Sequence, residues 1–134
     1  MNIEAFLLCD AATDQQGKLN VLGAFDTIWT KTVPVMHPAC AVVARVRFEK
    51  IEEGGHSIRI HIIDEDGKPI GPKLEVNVNV RIGDDMDSAI TNIVLNIQGL
   101  KFEKDGQYRI DLSIDNQIKG SLPLHVRKIS NQTK

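Results

Sequence analysis

The chain has 134 residues, a formal charge of −2, and 42% hydrophobic and 25% charged residues. That is ordinary globular composition for one domain, residues 1–134, long enough to bury a core without a metal or a disulfide. The near-neutral charge and 4% aromatic content exclude the strong basicity and stacking platforms of nucleic-acid binders, so no nucleic-acid partner is expected.

At the N-terminus the apolar run is short, follows Glu4 and has no basic leader, the first lysine being Lys18. It reads as neither a signal peptide nor a membrane span, so a cytoplasmic protein with no membrane partner is expected. Residues 3–13 form the first predicted strand, apolar on both faces until Asp10. Cys9 is in phase with Ile3, Ala5 and Leu7 and is expected to face the core. Residues 19–30 form a long second strand, with a bend or bulge near Gly23 and Ala24. Residues 39–48 place Cys40, Val42, Ala44, Val46 and Phe48 inward and Arg45 and Arg47 outward. Two cysteines make no disulfide framework; both are expected to be buried, reduced and not catalytic.

The period-2 signal is cleanest in the second half of the chain. Residues 56–64 separate Ile58, Ile60 and Ile62 from Ser57, Arg59 and His61. Residues 73–82 align Leu74, Val76, Val78, Val80 and Ile82. Residues 89–98 gather Ile93, Leu95 and Ile97, and residues 107–115 gather Tyr108, Ile110, Leu112 and Ile114. Val76, Val78, Ile110 and Leu112 are therefore expected in the core. Residues 118–127 alternate through Leu122, Leu124 and Val126, with Pro123 on the outer face. A proline cannot donate to a ladder, so this strand is expected at an edge or with a bulge. Residues 84–89 could hold one helical turn, and residues 128–134 read as a polar tail. In that tail Asn131, Gln132 and Thr133 match a glycosylation acceptor only by chance if the chain is not secreted. The pattern predicts an all-β, antiparallel β-sandwich of about eight strands, an Ig-like or C2-like Greek key or a jelly roll.

Three stretches carry a more specific signal: Phe6-Leu7-Leu8-Cys9-Asp10-Ala11, then Gly17-Lys18-Leu19-Asn20-Val21-Leu22-Gly23 with Phe25, Asp26 and Ile28, then Val35-Met36-His37-Pro38. In these the chain resembles a family of small uncharacterised bacterial proteins of about this length. The resemblance is most specific over residues 4–47. It implies a bacterial, stand-alone, non-exported domain, and it supplies no mechanism, cofactor or catalytic residue.

No cofactor motif stands in the sequence, and the histidines His37, His56, His61 and His125 lack metal-site spacing, so they read as surface or turn residues. Asp10 and Asp26 interrupt apolar stretches and are expected either to accept backbone N–H groups or to line a pocket. If each strand crosses once, the loops at 14–18, 49–55, 83–88 and 115–116 share one end. That end collects Asp14, Glu49, Glu52, Glu53, Asp84, Asp85, Asp87 and Asp115 against Lys18 and Lys50. Asp84, Asp85, Asp87 and Asp115 are the candidate metal ligands there, and any calcium is expected to be held no tighter than about 10⁻⁴ M. Three functions remain open: a non-enzymatic binding or scaffold module, a small-ligand or weak cation-binding sandwich, and an enzyme with an unrecognised site near Asp10 and Asp26. The first is preferred, with a protein partner. Outward Val43 and Ile63 further suggest a covered face, and so a symmetric homodimer through an edge or an apolar patch.

Overall fold

The computed structural model describes residues 1–130; Asn131, Gln132 and Thr133 of the acceptor tripeptide, and the end of the expected tail, lie outside the described residues. The described chain is all β apart from one 3₁₀ turn. Its strands are β1 (Asn2–Gln15), β2 (Lys18–Ala24), β3 (Thr27–Thr30), β4 (Val35–Glu49), β5 (Gly54–Ile63), β6 (Pro69–Val80), β7 (Ser88–Phe102), β8 (Gly106–Ile114) and β9 (Gln117–Lys128). They form two sheets packed face to face, one in the order β2-β1-β4-β7 and the other β3-β9-β8-β5-β6. No helix among the described residues is long and apolar enough to cross a membrane.

Alternation places the core as expected in β4, β5 and β8: Val42, Ala44, Val46, Phe48, Ile58, Ile60, Ile62, Ile110 and Leu112 are all buried between the sheets. Branched aliphatic side chains of this kind fit a pleated, half-buried surface. Val76 and Val78 differ. They face the core from β6, an edge strand, and are only half-buried. Correct phase does not secure full burial where no neighbouring strand closes the layer.

Nine strands stand where eight were expected, because residues 19–30 divide between the sheets. Gly23 has φ +70°, β2 ends at Ala24, and the chain crosses to the other layer as β3. There β3 pairs with β9 in parallel, an exception to the otherwise antiparallel pattern. β3 reaches only from His125 to Lys128, so Pro123 lies on the part of β9 that has no second strand beside it. The expected helical turn at 84–89 is a plain turn; the 3₁₀ turn is Lys50–Glu52 instead.

Cys9 is buried, but on the opposite side of its sheet from the expected one. The β1–β4 register shifts between Ile3 and Ala5, and a one-residue bulge turns every later side chain over. Phe6 and Leu8 therefore face the core, while Cys9 joins Ala41 and Val43 on the outer face. That face is covered by the chain itself. β1 pairs with β4 as far as Cys9 and only with β2 from there on. Beyond this point the β1–β2 hairpin doubles back over β4 and β7. Ala12 and Leu19 pack on Cys9, Ala41 and Val43. At the tip the Gly17 carbonyl accepts from Arg45 Nη1 at 3.3 Å and from Asn92 Nδ2 at 3.1 Å. Val43 is 0% exposed under this arm, which accounts for its apolar character within one chain.

Candidate functional site

The acidic end gathers most of the residues that the loop count predicted, but several of its carboxylates are committed to the protein's own backbone. Glu52 Oε1 accepts from the Glu49 amide at 2.7 Å, and Glu53 Oε2 accepts from the Ile82 amide at 2.7 Å. Those amides hold both carboxyls below their ordinary values. Asp115 accepts the Ser57 amide at 3.0 Å and sits 2.6 Å from His56 Nδ1. The other ring nitrogen of His56 lies 2.6 Å from the Glu52 carbonyl. With two acceptors facing one ring, the doubly protonated form is favoured, and the pKa of His56 is raised, first by that carbonyl and then by Asp115. His56 also stacks on Phe48 at 4.7 Å, so it is a structural tie between β5 and two loops rather than a surface histidine.

Of the candidate metal ligands, Asp84, Asp85 and Asp87 are exposed. Lys50 reaches to 3.8 Å from Asp84, and its amide donates to the Asp87 carbonyl. Asp115 is held on His56 and Ser57, and Asp14 turns away to Asn92 on the outer face of the other sheet. Among the described residues no three His, Cys, Asp or Glu side chains gather to hold a metal ion.

Asp10 and Asp26 are both exposed. Asp10 stands at the bend of the hairpin, over Gly23; a Cβ there would lie 2.5 Å from Asp10 Oδ2. Asp26 marks the crossing between sheets. Its Oδ1 accepts from the Thr27 hydroxyl at 2.8 Å, and its carbonyl accepts the His125 amide. Of the two roles expected of them, accepting backbone amides falls among the described residues to Asp64, Glu65, Glu52, Glu53 and Asp115. A groove of about 380 Å³ between Leu7, Ala24, Phe25, Asp26, Leu122 and Pro123 adjoins the crossing. Cys9 and Cys40 are free and buried. Burial pushes the Cys40 thiol up to about 11, far from the thiolate a nucleophile needs.

The outer face of the five-stranded sheet holds what the sequence did not mark. Asp111 is 1% exposed although it points outward. Arg109 forks onto both its oxygens at 2.8 and 3.0 Å, and Ser121 Oγ donates at 2.6 Å. Burial raises its carboxyl, but Arg109 and Ser121 outweigh that and hold it below the ordinary value. The cluster joins two strands, with the Asp111 carboxylate satisfied from within the protein. Beside it the face opens. Trp29 lies level with Arg127, and Gln107 level with His125, in a shallow depression of about 540 Å³ that also meets Lys128 and Asp105. Trp29 is 62% exposed. Among the described residues no carboxylate forms an ion pair with Arg127 or Lys128. The signal for this site was Ile28 beside Trp29: one inward residue forces the next outward, once residues 27–30 are known to be a separate strand.

A family model described as a family of unknown function, DUF6941, matches residues 4–127. No curated protein matches the chain.

Proposed function

We propose that this chain, which belongs to the DUF6941 family of unknown function, is a non-enzymatic binding module that takes an acidic segment of a partner protein on its Trp29 face. The observation that carries the reading is the exposed Trp29 beside two cations, Arg127 and Lys128, with which no carboxylate among the described residues forms an ion pair. An indole left in water gains by being covered, and tryptophan and arginine are both enriched among the residues that carry interface binding energy. Cations at its rim favour an acidic partner and select against a basic one. At the acidic end, by contrast, Glu52, Glu53 and Asp115 already accept the protein's own amides and no three described carboxylates converge, which favours a protein contact here over a cation site there. Two buried free thiols suit a reducing compartment and support a cytoplasmic location.

Trp29 is the single tryptophan, so its emission reports on this face alone. Titration with an Asp- and Glu-rich peptide is expected to shift that emission saturably, more weakly as salt rises. Arg127→Glu is expected to weaken binding by at least about tenfold without changing the melting temperature. No shift with the acidic peptide, or an equal shift with a Lys-rich peptide, would refute the reading.

A further inference from the structure

A sandwich leaves strand edges with unpaired N–H and C=O groups, and sequences ordinarily blunt them. Four of the edges here are blunted. β6 carries Pro69, Pro72, Lys73 and Glu75, and its Gly71 has φ +74°. β3 is four residues long. The uncovered stretch of β9 contains Pro123. β2 belongs to the doubled-back hairpin and has Gly23 at φ +70°. The fifth edge is different. β7 runs fifteen residues from Ser88 to Phe102, pairs with β4 along its whole length, and among the described residues has no strand on its other side. From Ser88 to Leu100 it holds no charge and no proline.

We infer that the free edge of β7 pairs antiparallel with the β7 edge of a second copy of this chain, joining two four-stranded sheets into one. The uncharged stretch is centred on Val94, and a two-fold axis there makes the strand self-complementary. Val94 meets Val94, Ile93 meets Leu95, and Asn92 meets Asn96. Asp87 and Lys101 flank the stretch with opposite charges, so the same axis brings the acidic end of one copy towards the basic end of the other. The pairing stops short of Gly99, whose φ of +66° breaks the regular ladder. A second observation points to the same seam. The core-facing residues along it, Leu95 of β7 and Leu74, Val76 and Val78 of β6, are only half-buried, and a copy beside β7 would shield them further. Isologous two-fold closure consumes both free edges at once and ends the assembly at two chains. The Trp29 face lies on the other sheet and stays open in this dimer.

Sedimentation equilibrium of the full chain over a wide concentration range is expected to show reversible passage to twice the monomer mass. Asn96→Lys with Gln98→Lys, both at exposed positions, places like charges along the joined edge and should raise the dissociation constant by at least about tenfold. Arg127→Glu should leave it unchanged. Val94→Cys should give a disulfide-linked dimer on mild oxidation, whereas Asn96→Cys, level with Asn92 rather than with itself, should not. Hydrogen exchange needs no variant: amides on the free side of β7 should gain protection as concentration rises. A monomer at every concentration, a dimer indifferent to the two lysines, or linkage through Asn96→Cys in place of Val94→Cys would overturn the inference. So would a β7 edge that gains protection only when a foreign extended peptide is added.

Discussion

The two sheets turn opposite kinds of surface outward. On the four-stranded sheet the outward residues Cys9, Ala41 and Val43 are small, apolar and sealed under the chain's own hairpin. On the five-stranded sheet the outward residues are Trp29, Arg109, Asp111, His125 and Arg127, and nothing of the described chain lies over Trp29. The same strand alternation therefore produces a second small core on one side and a contact surface on the other. What differs is the bend at Asp10 and Gly23, which gives one sheet a cover and leaves the other bare.

The widest separation between the faces should come from one substitution on each. Val43→Asp puts a carboxylate under the arm with no partner and is expected to cost about 3–5 kcal/mol in urea unfolding. Trp29→Ala, on the open face, should stay within about 0.5 kcal/mol. Equal costs would mean that the arm does not cover Val43 in solution. Next in size is the bend itself. Gly23→Ala adds a Cβ against Asp10 at a positive φ and should destabilise by about 1–2 kcal/mol. Adding Asp10→Ala removes the collision but not the backbone strain, so the double variant should recover part of the loss. Full recovery would show that only the clash mattered, and no recovery that only φ did.

The smallest effect concerns pH and sits away from both faces. His56 has a raised pKa, so its contribution is complete below 6.5, the unfolded value, and fades as pH climbs through the folded one. Asp115 has a lowered pKa, set first by the Ser57 amide and then by His56. Its contribution is complete above its ordinary 3.8 and fades as pH falls through the folded value. Melting temperature should therefore hold a plateau on the mildly acidic side of neutrality and decline on both flanks. His56→Gln should flatten the alkaline decline while leaving the outer faces untouched. An alkaline flank unchanged by that substitution would count against the paired imidazolium.

Much of this was legible in advance because alternation survives wherever one face is wet. β8 and β4 read correctly from Tyr108 to Ile114 and from Cys40 to Phe48, since polar residues mark the other phase throughout β8 and at Arg45 and Arg47 in β4. β1 did not, because it is apolar on both faces and a bulge near Glu4 leaves no trace in such a pattern. Outward Val43 was rightly read as covered; sequence cannot say whether the cover is a second chain or the same one. The contact face was harder still. Asp111 with Ser121, and Trp29 with Arg127, are brought together by registers between β8, β9 and β3, and register between distant strands is not written in either strand alone.

The parallel pairing of β3 with β9 carries a consequence for the order of assembly. Thr27 settles beside His125, so one of the earliest strands made waits for the last. Loop closure of that length is entropically slow, and folds dominated by such distant pairings complete in milliseconds to seconds rather than microseconds. On the ribosome the Trp29 strand has no neighbour until β9 has emerged. The proposed contact face is thus among the last parts of the sandwich to form, and a partner that reads it would meet only a finished sandwich.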